Sequence, residues 1–203
     1  MERKFIISLG RQFGAGARSI GAILSQRLGV PVFNNELLSE AAKQTGYSPD
    51  IFKKRDEKRH LFGLSRLFSN SSYISDNYLS DSTLFQIQSE VMRDLAEKGS
   101  CIIIGRCADY VLRDMDGLLK VFITSPLDKR IGRVAERLAV DTETAAKIIR
   151  IKERNRKNFY NGYTLGNWGE ASTYDLCVDS SLLGDEGTAD FIIDFAKKSG
   201  III

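Results

Sequence analysis

The stretch Phe5-Ile-Ile-Ser-Leu-Gly-Arg-Gln-Phe-Gly-Ala-Gly-Ala-Arg-Ser-Ile-Gly-Ala-Ile-Leu24 constrains the fold more than any other part of this chain. Phe5-Ile6-Ile7 opens it as a short apolar run of the kind that forms a buried strand. Gly10, Gly14 and Gly16 then mark a turn, after which Ile20, Ile23, Leu24 and Leu28 recur at helical spacing. A strand, a glycine loop and a helix in this order let backbone N–H groups and a positive helix end surround a phosphate. The common form of such a loop, G-x-x-x-x-G-K-[ST], is not satisfied. Five residues separate Gly10 from Gly16, and Ala17 stands in the lysine place with Arg18-Ser19 one position later. A tight strand-to-helix turn of any α/β protein is the plainer reading of the same residues.

At 203 residues the chain is the size of one domain, with room for a small insertion. A net charge of +3 is too small to argue for a nucleic-acid or membrane partner, so any basic patch has to be local. There is no long apolar run, and Met1-Glu-Arg-Lys leads straight into the first strand, so a cytoplasmic protein without signal peptide or membrane span is expected. The cysteines at 101, 107 and 177 lack metal-ligand spacing; Cys101 and Cys177, in apolar runs, read as buried thiols. With His60 the only histidine, a histidine metal site is not expected.

The first helix should stop near Gly29, with Val30-Pro31-Val32-Phe33 a second strand and a helical face of Leu37, Leu38, Ala41 and Ala42 after it. Asn34 and Asn35 lie at the carboxyl end of that strand, where open α/β sheets bind ligands, and read equally as helix caps. Ser48-Pro49-Asp50 signals another helix, whose run of Lys53, Lys54, Arg55, Lys58 and Arg59 is a solvated face or one that greets an anion. From Leu61 to Ser82, polar residues interleaved with Phe, Leu and Tyr suggest a mobile loop or lid element, partly ordered by its aromatics. A helix from about Ser82 to Lys98 ends at Gly99, and Cys101-Ile-Ile-Ile-Gly105-Arg106 is an apolar strand ending in glycine and a cation. Leu118–Thr124 forms the next strand. Ser125-Pro-Leu-Asp128 should cap a helix with Ile131, Val134 and Leu138 inward and Arg130, Arg133 and Arg137 on the other side.

Asp141-Thr-Glu-Thr144 caps a further helix, which becomes strongly basic at Lys147, Arg150, Lys152, Arg154, Arg156 and Lys157, with Glu153 opposing. Mutual repulsion of these cations costs stability unless an anion intervenes. Phosphoryl transfer calls for such a supply of charge; a nucleic-acid patch and a solvated helix end are the alternatives. Tyr174–Asp179 is a last strand, followed by a closing helix along Ala189, Ile192, Ile193 and Ala196. Repeated strand–helix pairs indicate a parallel sheet with helices on both faces.

Several stretches together resemble the cytidylate kinase-like family, a branch of the P-loop nucleoside monophosphate kinases. They are Phe5 to Leu24, Val32-Phe-Asn-Asn-Glu-Leu-Leu38, Ile103-Ile-Gly-Arg106, Val121-Phe-Ile-Thr124, Glu153-Arg-Asn-Arg156 and Tyr174-Asp-Leu-Cys-Val-Asp-Ser-Ser181. The resemblance implies a three-layer α/β kinase fold around a five-stranded parallel sheet. It also implies one P-loop kinase-like domain over 1–203, an inserted acceptor-binding subdomain at about 35–99 and an arginine-rich lid at about 147–163. The implied reaction moves the γ-phosphoryl of ATP, with Mg²⁺, to CMP or dCMP. By position, Gly14, Ala15, Gly16, Ala17, Arg18 and Ser19 would hold the ATP phosphates, with Ser19 toward Mg²⁺ and Arg18 in place of the loop lysine. Arg106 matches an acceptor-contacting arginine, Arg154 and Arg156 match lid arginines that clamp the transferring group, and Asp175 resembles an acceptor-side acid. The chain departs from the pattern at Arg18, at Cys107, where an acid is usual, and at Asn34, where an aspartate is common. The 61–82 segment also differs.

Three readings of function follow. The first is a nucleotide-dependent small-molecule kinase, with CMP or dCMP the leading acceptor and another small molecule the variant. The second is a catalytically weakened nucleotide-binding regulator of the same fold. The third is a nucleic-acid module using the 147–157 cations beside Phe159, Tyr160 and Tyr163, which is the less expected of the three. The number of chains in an assembly is left open.

Overall fold

The computed structural model describes residues 4–44 and 81–202. The 48–59 helix and charge run, and the 61–80 part of the expected lid element, lie outside the described residues. Five strands, β1 (Ile6–Arg11), β2 (Val32–Phe33), β3 (Cys101–Ile104), β4 (Leu118–Thr124) and β5 (Leu176–Asp179), form one parallel sheet in the order β2-β3-β1-β4-β5. Helix α1 (Ala17–Leu28) follows β1, and α2 (Asn35–Gln44) follows β2. Then come α3 (Asp81–Lys98), the one-turn α4 (Ala108–Val111), α5 (Leu127–Leu138), α6 (Thr142–Tyr163) and α7 (Ser180–Lys198).

Side chains alternate along a strand, and that period sorts the core into two layers. Ile7 and Leu9 of β1, Ile102 and Ile104 of β3, and Leu119, Val121 and Ile123 of β4 pack on α1 through Ile20 and Leu24, and on α7 through Ala189, Ile192 and Ala196. Ile6, Cys101 and Ile103 face the other way, against Leu38 of α2, Ile87, Val91, Met92 and Ala96 of α3, and Val111 of α4. The expected three-layer architecture is therefore present. A third, smaller cluster of Val134, Ala145 and Ile149 joins α5 to α6 and receives Phe13 from the β1–α1 loop.

Several expectations need correction. β2 begins at Val32 instead of Val30, because the Val30 N–H closes the end of α1 onto the Ser25 carbonyl and Pro31 has no N–H to give. Ser125 does not cap α5; its N–H donates to Gln12 Oε1 at 3.1 Å, and Pro126 occupies the cap position. Arg130 faces inward, 5% exposed, while Leu138 is 44% exposed. The exchange works because α6 brings Glu153 to within 2.8 Å of the Arg130 guanidinium. Cys177 is exposed on the edge strand β5, whereas Cys101 and Cys107 are buried. The Asp141 cap is as expected: its carboxylate accepts from Thr144 N at 2.8 Å and from the Thr144 hydroxyl at 2.7 Å.

Candidate active site

The carboxyl ends of β1 and β3 are adjacent in the sheet, and the candidate site is built where they turn. After β1, Gln12 anchors the loop to β4: its Oε1 accepts from Thr124 Oγ1 at 2.5 Å and its N–H donates to the Ile123 carbonyl at 3.0 Å. From below, Ser180 Oγ donates to the Ala15 carbonyl at 2.8 Å. Phe13 is held from both sides, its N–H donating to Glu153 Oε1 at 3.4 Å and its carbonyl accepting from Arg130 Nη1 at 3.3 Å.

The loop is thus tied down through its carbonyls and its first residues. The N–H groups of Gly14, Gly16, Ala17, Arg18 and Ser19 have no partner among the described residues, and no side chain caps α1. Gly14 and Gly16 have φ of 89° and 84°, a left-handed backbone that glycine adopts without strain. These free donors lie at the positive end of a helix, the arrangement that binds phosphate.

At the end of β3 the chain makes a stranger turn. Gly105, Arg106 and Cys107 have φ of 76°, 57° and 56°, so two side-chain-bearing residues are held in the left-handed region. Such backbone persists only where its surroundings over-determine it. Arg106 Nε donates to Gln88 Oε1 at 2.6 Å, and its guanidinium stacks 4.0 Å above the Phe159 ring. Gln88 is fully buried, and its amide nitrogen donates to Ser39 Oγ at 2.8 Å and Asn35 Oδ1 at 3.2 Å. Arg106 is therefore aimed by α2, α3 and α6 together. Burial pushes the Cys107 thiol up to about 12, with Asp109 adding to the shift, so it stays protonated.

Helix α6 links the two turns. Arg156 Nη1 donates to the Arg11 carbonyl at 3.2 Å, and the guanidinia of Arg156 and Arg137 each lie 5.2 Å from the Phe13 ring centroid. One turn later Phe159 lies under Arg106, and Tyr160 donates to Asp109 Oδ2 at 2.6 Å. Burial lowers Arg156 to about 10, Glu153 opposing and Arg18 and Arg137 adding to the fall. Arg11 is lowered to about 9 by burial first, then by the guanidinium of Arg156.

The structure brings Gly14, Ala15, Gly16, Ala17, Ser19, Arg106 and Arg156 to this edge of the sheet. Arg18 starts there but turns outward, pairing with Glu36 at 2.8 Å with 71% of its side chain exposed. Arg154 is exposed, about 200° around the helix from Arg156. Asn34 accepts from Leu37 N at 3.0 Å as a cap of α2. Asp175 lies at the amino-terminal start of β5, bound to the Lys120 N–H at 2.8 Å, and is not brought to the loop. Sequence reading gave Arg11 and Gln88 no role, placed Arg130 on the outer side of its helix, and took Glu153 as a charge opposing the cations and not as the partner of Arg130. Arg11 follows Gly10 directly, but the motif directs attention to the far end of the loop.

With this geometry in place, comparison with known proteins decides the family. A model of the cytidylate kinase-like family matches residues 6–182. The chain belongs to the cytidylate kinase-like family. A cytidylate kinase of Methanothrix thermoacetophila is 29% identical over 185 residues, covering 90% of this chain and 92% of that protein. Among solved structures, an uncharacterized protein from Eubacterium ventriosum superposes with a TM-score of 0.74 at 26% identity, covering 96% of this chain and 99% of that one. Shikimate kinase from Acinetobacter baumannii, in complex with shikimate, gives 0.52 at 14% identity over 97% and 94% of the two chains, a likeness of fold. This family member has the P-loop kinase fold and is related to phosphotransferases. Among the described residues no helix is long and apolar enough to cross a membrane.

Proposed function

We propose that this chain transfers the γ-phosphoryl group of ATP, with Mg²⁺, to the phosphate of a nucleoside monophosphate, CMP or dCMP. The observation that carries the reading is the set of N–H groups at Gly14 and from Gly16 to Ser19 that have no partner among the described residues, with Arg106 and Arg156 directed to the same sheet edge. Free N–H donors at a helix start suit the donor's phosphates, and positioned guanidinia suit the charge that spreads over the transferring group. Relatives carrying the name cytidylate kinase point to CMP among acceptors.

Roles divide by position. Gly14 to Ser19 bind the donor phosphates through the backbone. Arg156 moves with α6, the proposed lid helix, and closes on the transferring group; Arg154 joins only if that helix rotates. Arg106 meets the acceptor phosphate, flanked by α2 and α3 of the proposed insertion. Asn34 and Asp175, already bound to Leu37 and Lys120, add less. The residues fit Mg²⁺ as a passenger on the nucleotide. No cluster of His, Cys, Asp or Glu among the described residues could hold a metal alone, and Ser19 offers an exposed hydroxyl in the first turn of α1. When bound, the ion neutralises phosphate charge.

ADP production from ATP and Mg²⁺ against a panel of nucleoside monophosphates, beside calorimetric ATP binding, tests this. Turnover with CMP or dCMP supports the proposal. ATP binding with no nucleotide accepted points to another small-molecule acceptor, and absence of ATP binding overturns it. One observation favours a weakened nucleotide-binding regulator as second reading: Arg18, the nearest cation to the missing lysine, is engaged by Glu36. ATP binding with no turnover on any acceptor is its signature.

A further inference from the structure

We propose that Arg11, and not Arg18, is the cation that meets the transferred phosphate, doing from the start of the glycine loop what a lysine does from its end in the common motif. The inference rests on the kinase reading above. Arg11 ends β1, and its backbone leads into the donor loop. Its head, however, crosses to the neighbouring strand: a Cβ built on Gly105 would fall 1.7 Å from Arg11 Nη1 and 2.7 Å from Cζ. The guanidinium therefore lies between the loop that faces the donor and the strained turn that presents Arg106, where a group passing from donor to acceptor has to travel.

Nothing in the described structure satisfies this guanidinium. A guanidinium carries five N–H donors, yet Arg11 forms no side-chain hydrogen bond or ion pair with any described residue. Its electrostatic neighbours are Arg156, Arg18 and Arg106, and the one opposing carboxylate, Glu36, is bound to Arg18. Partial burial beside three other cations disfavours the charge, and arginine does not escape by losing its proton. An anion arriving between the two turns removes both costs. Arg156 fixes the geometry by donating to the Arg11 carbonyl. Arg18 would have to abandon Glu36 and turn from solvent to do the same.

The test is calorimetric titration of the full chain and of Arg11→Met, Arg11→Lys and Arg18→Met with sodium tripolyphosphate and with ATP at fixed ionic strength, alongside Tm and kcat. Arg11→Met should weaken tripolyphosphate binding about tenfold or more, the size of a lost charge-assisted contact. Its Tm should hold or rise, because a crowded, partly buried charge has gone, a change that a structural arginine would reverse. Arg11→Lys should recover part of the affinity, and Arg18→Met should stay within about threefold of the parent. Parent-like affinity in Arg11→Met overturns the assignment while leaving the kinase reading intact. So does a larger loss in Arg18→Met, or a lower Tm in Arg11→Met with unchanged affinity. If the parent binds neither tripolyphosphate nor ATP, the kinase reading and the assignment both fall.

Discussion

Arg130 Nη1 and Glu153 Oε1 meet at 2.8 Å, with side-chain exposures of 6% and 22%, and between them they hold both polar groups of the Phe13 backbone. The pair joins α5 to α6 and sets where the donor loop begins. Removing one partner of a largely buried pair strands the other charge, which is costlier than removing both. Arg130→Met is expected to lower unfolding free energy by about 2 to 3 kcal/mol, with Glu153→Gln somewhat less because that carboxylate keeps some solvent. The double variant should lose less than the sum. Urea unfolding of the three proteins checks this, and additive losses would mean the two side chains do not act as a pair.

Arg154 and Arg156 are expected to be very unequal. Two residues apart on a helix, they point about 200° from each other, so in one position of α6 only one can face the loop. Arg156 is the one in contact with the Arg11 carbonyl, while Arg154 is exposed. Arg156→Ala should reduce kcat on the order of 10² with ATP affinity largely kept, as for a lost electrostatic stabiliser. Arg154→Ala should change kcat by less than about threefold. Steady-state kinetics with the best acceptor decides. Equal losses would show that α6 rotates during turnover and uses both.

These contrasts mark what the sequence could and could not carry. The parallel sheet and its helices were legible because Phe5-Ile6-Ile7, Cys101–Ile104 and Leu118–Thr124 are apolar runs bounded by glycine or helix signals, and a run buried on both faces has few other fates. Gly14, Gly16 and Arg106 were legible because backbone need and strand-end position show in residue type. The direction in which a long side chain turns was not. Arg18 and Glu36 are close only because α1 and α2, on opposite faces of the sheet, both begin at its carboxyl edge, and Arg130 faces inward only because Glu153, far along the chain, arrives from α6. Arg11 and Gly105 come from different strands, and no local pattern pairs them.

Asp109 gives the molecule a pH dependence. Its carboxyl, 6% exposed, is pushed above the ordinary range by burial, although the Tyr160 hydroxyl, donating at 2.6 Å, opposes the shift. A carboxyl raised in the fold binds its proton more tightly there than in the unfolded chain. Its contribution to stability is therefore fully present below the unfolded value and is lost as pH rises through the folded one. Relative to Asp109→Asn, the parent should lose stability on going from about pH 4 to about pH 7. Tyr160→Phe should push the carboxyl higher still and widen that window. Denaturant midpoints across the range measure it, and parallel profiles for parent and Asp109→Asn would remove Asp109 as the source.

Gly105→Ala tests the contact between the two turns directly. With φ of 76°, alanine there costs about 1 kcal/mol in backbone strain alone. The larger effect is steric, because the new methyl would occupy the place of Arg11 Nη1 and drive the guanidinium away. The variant should remain folded, since Gly105 lies just past β3 and not within it. It should nonetheless lose phosphate affinity about as much as Arg11→Met does, and combining the two should cost little more than either alone. Tripolyphosphate titration of Gly105→Ala and of the double variant measures this coupling. Independent losses would mean that the methyl acts through Arg106 and its strained turn, leaving Arg11 where it is.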